Sequence, residues 1–141
     1  MVYLEPLPAI VNKMKANTRL IALTPPSRIH SGWMPDSPDV NNGIYVTPLK
    51  GDLKQIVSSA NQTNYILQGS MKYQVDSLSL ESIEKADLLA RAACEATLPS
   101  ILTAGLFCIN FHQVNVSFDK GFGAFRSTWR LEIPAAEHIT G

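Results

Sequence analysis

The chain predicts an α+β fold: one antiparallel or mixed β-sheet with two helices packed on one face and a C-terminal β-hairpin. Three observations carry this. From Phe125 to Ile133 two residue sets alternate without a break. Phe125, Ser127, Trp129, Leu131 and Ile133 point one way; Arg126, Thr128, Arg130 and Glu132 point the other. A period of two marks a strand with one buried and one wetted face. Ile83, Ala86, Leu89, Ala90, Ala93, Cys94 and Thr97 form one stripe at helical spacing, and its alanines allow close approach to a sheet. Near the N-terminus, Leu4, Leu7, Val11 and Met14 recur at spacings of three and four, with Ile10 alongside.

The first helix is placed at Pro6 to Ala16. Prolines near its start cost little, because the first N–H groups of a helix have no partner inside it. Lys13 and Lys15 favour the dipole of the last turn, and Asn17 is a plausible stop. Leu20 to Leu23 reads as a short strand or extended segment, and Ser27 to His30 as another short extended piece. Ser31 to Asn42 is irregular, holding Gly32, Pro35, Pro38 and the Asn41-Asn42-Gly43 turn signal. A strand follows from Gly43 to Leu49, closed by Pro48, which suits a strand end or an edge. Lys50 to Thr63 is polar and weakly patterned and is read as a loop with room for a helical turn. Asn64 to Asp76 is a long strand with Leu67, Gly69, Met71, Tyr73 and Val75 on one face.

The second helix is expected from Leu80 to Leu98, with Ser79 as N-cap, Leu78 and Ile83 as a hydrophobic staple, and Pro99 as the stop. The penultimate strand runs from Phe107 to Phe118. Its facing pattern switches at His112-Gln113, which suggests a β-bulge. Asp119-Lys120-Gly121 then turns the chain into the last strand.

A chain of 141 residues matches one domain, 1–141. At that size about two thirds of the unfolded surface is buried on folding, so neither disulfide nor metal is required. The apolar fraction of 45% is ordinary for a globular protein. Basic and acidic residues balance to a formal net charge of +0. That argues against free-standing nucleic-acid binding and against an electrostatic membrane anchor, and it favours association. The N-terminal residues have no secretory pattern, and no apolar run is long enough for a spanning helix. Cys94 and Cys108, the only cysteines, read as small core residues in a reducing compartment.

No constellation specifies a chemistry, and catalysis, cofactor and metal are all expected to be absent. His30, His112 and His138 are scattered, without ligand spacing. A Cys94 or Cys108 pair with His112 is weakened because Cys94 lies on the apolar stripe, where a thiol is inert. Gly121-Phe122-Gly123 lacks the lysine and serine of a phosphate loop and precedes a strand; it reads as a hairpin turn with a left-handed glycine. Arg126 and Arg130 form a cationic row that is ordinarily a solvated face, with contact to a neighbouring subunit's acids as the alternative. Trp33 and Met34 lie in a non-periodic, proline-rich segment, so the tryptophan either caps the core or inserts into a partner.

The order of elements resembles the tail terminator proteins of long-tailed bacteriophages. That family has a short N-terminal helix, three strands with long loops, a second helix packed on the sheet and a closing hairpin. The matching stretches are Pro6 to Ala16, Ser27 to Gly32, the strand Ile44-Tyr45-Val46-Thr47-Pro48, Gly69 to Ser77, Ser82 to Leu98, and the hairpin. The resemblance implies a homo-oligomer, a hexameric ring at the head-proximal end of the tail tube in the virion, assembled in the host cytoplasm. Its implied partners are the tail tube protein and a head-proximal neck or connector protein, with DNA only passing through the lumen and no membrane involved. In this reading the segments Ser31 to Asn42 and Lys50 to Thr63 reach neighbouring subunits. Two alternatives are another neck or head-closure connector, usually a small barrel, and a small α+β enzyme or ligand-binding domain. The enzyme should project an acid from an apolar helix start into a pocket, a role that Glu81 and Asp87 do not fit.

Overall fold

The computed structural model describes residues 6–58, 64–98 and 110–140. Helix α1 (Pro6–Lys15) and helix α2 (Thr18–Leu23) lead through a 3-10 turn (Pro26–Arg28) into β1 (Ile29–Ser31). Strands β2 (Gly43–Ser58) and β3 (Asn64–Ser79) precede α3 (Ile83–Glu95), and β4 (Asn110–Asp119) and β5 (Ala124–Thr140) follow it. The sheet order is β1-β2-β3-β5-β4. Only β1 pairs in parallel, with β2; the other neighbours are antiparallel. The sheet is therefore mixed, as the α+β expectation allows.

The core lies between one sheet face and the helices. Leu7, Ile10, Val11 and Met14 of α1 and Leu89, Ala90, Ala93 and Cys94 of α3 meet Ile44, Val46, Met71, Tyr73, Val75, Leu131 and Ile133. Burial pushes the Tyr73 hydroxyl up to about 12. The alternation of β5 holds: Ser127, Leu131 and Ile133 are buried, and Trp129 packs on the core from the same face. The alanine stripe holds as well, and it lets α3 lie close on β3 and β5.

Several expectations need correction. Leu20 to Leu23 is helical, not extended. Asn17 does not merely end α1; its Oδ1 accepts the Leu20 N–H at 3.0 Å and starts α2 as an N-cap. Only six residues follow, too short a run to show a period, and tertiary burial of Leu20 holds them. The segment Lys50 to Thr63 is not a loop along its first part, because β2 continues to Ser58 opposite Tyr65. Gly51-Asp52-Leu53-Lys54 has little strand propensity, and the ladder to β3 supplies the order. Pro48 sits within β2, where the ladder shifts between Pro48 and Lys50. Strand β1 pairs only as far as Val46, so the missing N–H of Pro48 breaks no bond to it.

Helix α3 starts at Ile83, not Leu80. Its cap is Ser82, whose Oγ accepts the Lys85 N–H at 3.0 Å. Ser79 is still paired in β3, opposite Phe125, and so cannot begin a helix. The staple is absent for the same reason: Leu78 is buried in the sheet, and Ile83 is exposed. The helix ends at Glu95, short of Leu98, while Thr97 stays buried and donates to the Cys94 carbonyl at 2.6 Å. Pro99, Cys108 and the first residues of the Phe107 strand lie outside the described residues. The bulge exists, one residue beyond the expected place: the β4–β5 register shifts between Gln113 and Asn115.

The expected left-handed glycine of the Gly121-Phe122-Gly123 turn is Gly123, at φ +68, donating its N–H to the Asp119 carbonyl at 2.8 Å. A side chain there meets the left-handed penalty, so Gly123→Ala is expected to cost roughly 1–2 kcal/mol in denaturant melts.

Candidate functional site

The sheet's second face is polar and, among the described residues, carries no helix from the core cluster. Over β1 and β2 it is covered by the segment 32–42, which a polar latch holds down. Arg28 donates to Asp39 Oδ1 at 2.7 Å and to the Asn41 carbonyl at 3.0 Å. The Asp39 N–H donates to the Tyr45 hydroxyl at 2.8 Å. His30 stacks on Tyr45 with ring centroids 4.7 Å apart, and its Nε2 stands 3.7 Å from Asp39 Oδ2. At the far end, Asn42, at φ 63, accepts from Ser79 Oγ at 2.7 Å and donates to Glu81 at 2.9 Å. A Cβ on Gly43 would collide with the Asp39 carbonyl, so glycine is what lets the segment close on the strand.

This latch presents Trp33, 68% exposed, beyond the end of β1. It does not cap this chain's core. Met34 beside it is half-buried. The indole is left in water next to β1, an edge strand of the sheet among the described residues.

The two arginines of the cationic row have different fates. Arg126 is internally engaged, with Nη2 3.1 Å from Asp76 Oδ1 and Nη1 3.4 Å from Asp119. Asp76 is only 2% exposed, and Gln74 and Thr128 also donate to it. A buried carboxylate with three donors is satisfied, and it fixes the centre of this face. Arg130 stands exposed nearby. It borders a hollow of about 140 Å³ lined by Lys72, Asn110, His112, Leu131 and Glu132.

Asp87 is the acid that sequence reasoning passed over. It projects from α3 toward β4 and β5, where its Oδ1 accepts from Gln113 Nε2 at 2.8 Å, Ser127 Oγ at 2.9 Å and Trp129 Nε1 at 2.9 Å. Burial alone would raise its pKa. The three hydrogen bonds, with the Arg91 charge, outweigh that and hold it below its ordinary 3.8. An acid held ionised, with three donors on one oxygen, acts as an anchor between helix and sheet and is a poor proton carrier at neutral pH. The one available signal was its place beside the apolar stripe, a single turn before Arg91.

Of the suspected thiol–imidazole pairs, Cys94 with His112 is not brought together, and Cys108 lies outside the described residues. Cys94 is buried in the core, while His112 is exposed and registers with Arg130 on the other face. Among the described residues no group of three or more His, Cys, Asp or Glu side chains could hold a metal ion.

Comparison with known protein families and with curated proteins finds no match. Among solved structures, the chain is similar to a chain of the virion of a native gene transfer agent (GTA) particle. The TM-score is 0.47 at 14% identity, covering 89% of this chain and 92% of that one.

Proposed function

We propose that this chain is a structural virion protein that assembles, as one domain, into a ring at the head-proximal end of a phage tail tube, ending tube growth and joining tail to neck. One observation carries the ring. The strand order leaves β1 and β4 as opposite edges of one sheet among the described residues. Each is accompanied by apolar surface: Trp33 follows β1, and Val114 and Phe118 on β4 are 44% and 51% exposed. Natural sheets usually blunt such edges. Two different adhesive edges on one subunit suit a head-to-tail contact that closes by rotation. The tail role rests on the terminator-like order of elements.

Mass measurement in solution and negative-stain images test the ring; a discrete oligomer with a central hole is the expected result. Tail tubes assembled without the protein should overrun their length or fail to join heads, and added protein should cap one end. Normal tails in its absence would sink the proposal. Trp33→Ala should weaken assembly by about 2 kcal/mol while leaving the subunit's melt unchanged. A variant that loses stability but assembles normally would remove Trp33 from the interface.

A further inference from the structure

The ionic inventory of the folded chain is uneven. Arg19 and Arg91 both pair with Glu95, Arg28 pairs with Asp39, and Arg126 pairs with Asp76 and Asp119. Arg130 is the exception: among the described residues it makes no ion pair, and it is exposed. Lys72 and His112, which line the same hollow, are also exposed and make none. One carboxylate, the half-buried Glu132, lines that hollow with them. Strands β3, β5 and β4 thus carry a basic concavity on the open half of the polar face.

Glu132 stands opposite Lys72 in the β3–β5 register, and other acids without an ion pair among the described residues lie outside the hollow. Asp36 is exposed at the middle of the segment 32–42. Glu84 is exposed in the first turn of α3. Glu81, also exposed, is tied to that segment through the Asn42 amide and has no cationic partner among the described residues. Trp33 and Asp36 thus lie on one exposed stretch that follows β1, and Asp36 makes no ion pair among the described residues. Four strand spacings of about 4.8 Å separate β1 from β4, roughly 19 Å.

We infer that this segment and the concavity match each other between copies: the Trp33–Asp36 segment of one subunit seats on the Lys72–His112–Arg130 concavity of the next. This rests on the ring reading above. Charge selects the geometry. A two-fold contact through the concavity would set Arg130 against its own copy, which is repulsive, whereas a head-to-tail contact sets it against Asp36. The contact should weaken as salt is raised, because its charges sit at the surface.

A charge swap tests the pairing, read by sedimentation equilibrium of the full chain up to millimolar concentration. Arg130→Glu alone and Asp36→Lys alone should each weaken self-association at least about tenfold, with unchanged melts, since both sites are exposed. The Asp36→Lys/Arg130→Glu double variant should recover association to within about threefold of the parent. If Arg130→Glu disturbs folding, Arg130→Gln takes its place and should flatten the salt dependence. Rings that form equally well in both single variants overturn this inference and leave the ring reading standing. Single losses without recovery in the double variant also overturn it. A parent chain that stays monomeric at every concentration overturns both. Loss of double-stranded DNA retention in Arg130→Glu, with association unchanged, would assign the concavity to nucleic acid and end the proposal.

Discussion

Trp129→Ala is expected to lower stability by roughly 3–5 kcal/mol, the usual range for removing a core aromatic. The indole packs on the core cluster, lies 5.9 Å from the Phe111 ring, and donates its N–H to Asp87. Truncation opens a cavity and strips an ionised acid of a donor at once. Trp129→Phe separates the two effects: it keeps most of the ring and should cost about 1–2 kcal/mol for the lost charged hydrogen bond. Thr128→Ala, one residue away on the other face, would be near neutral if that face were merely wet. Because Thr128 donates to the buried Asp76, about 1–2 kcal/mol is expected instead. Urea melts of the three variants decide; equal losses in Trp129→Ala and Thr128→Ala would contradict the ranking of the two faces.

Asp87→Ala is the second large effect, about 3 kcal/mol at neutral pH, because it removes the one oxygen that Gln113, Ser127 and Trp129 share at a helix–sheet contact and leaves the Trp129 N–H only Ser127 Oγ at 3.1 Å. Asp87→Asn retains one acceptor and should lose less. The folded carboxyl titrates below its ordinary 3.8, so its contribution is fully present above the unfolded value and disappears as pH falls through the folded one. Acid melts should therefore show a loss of stability below about pH 4 in the parent chain that is reduced in Asp87→Asn. Identical pH profiles would mean that the three donors do not distinguish the charged form.

Much of the scaffold was legible because it is written in local periodicity. The alternation through Phe125 to Ile133, the alanine stripe of α3 and the parity switch near Val114 each need only a dozen residues to be read. What escaped depends on distant partners. Residues 50–58 extend β2 because β3 lies beside them, and nothing in Gly51-Asp52-Leu53-Lys54 announces that neighbour. Ser79 and Ser82 are equally good caps, and the choice falls to Ser82 because Phe125 and Asn42 hold Ser79 back. Nothing local announces the partners of Asp76 and Asp87; the donors Ser127, Thr128 and Trp129 come from residues 40 to 52 positions away along the chain. Trp33 was singled out correctly as lacking a periodic partner, yet only the latch between Arg28, Asp39 and Tyr45 explains why it faces water. The arginine row failed as a unit, since a strand's outer face does not reveal which of its charges has a partner on the next strand.

The position of β5 has a kinetic consequence. It is the last described strand in the chain, but it lies inside the sheet, between β3 and β4. As the polypeptide leaves the ribosome, β2 and β3 are able to pair, while β4 has no neighbour until β5 emerges and zips to it. Until that moment one flank of β3 and both flanks of β4 are open templates for other nascent chains. Closing a ladder that joins Asn64 to Thr140 also belongs to the slow, non-local class of folding, on the order of milliseconds to seconds. Shortening the chain before Ala124 should therefore yield aggregates instead of a smaller folded subunit, and slower translation should not rescue it.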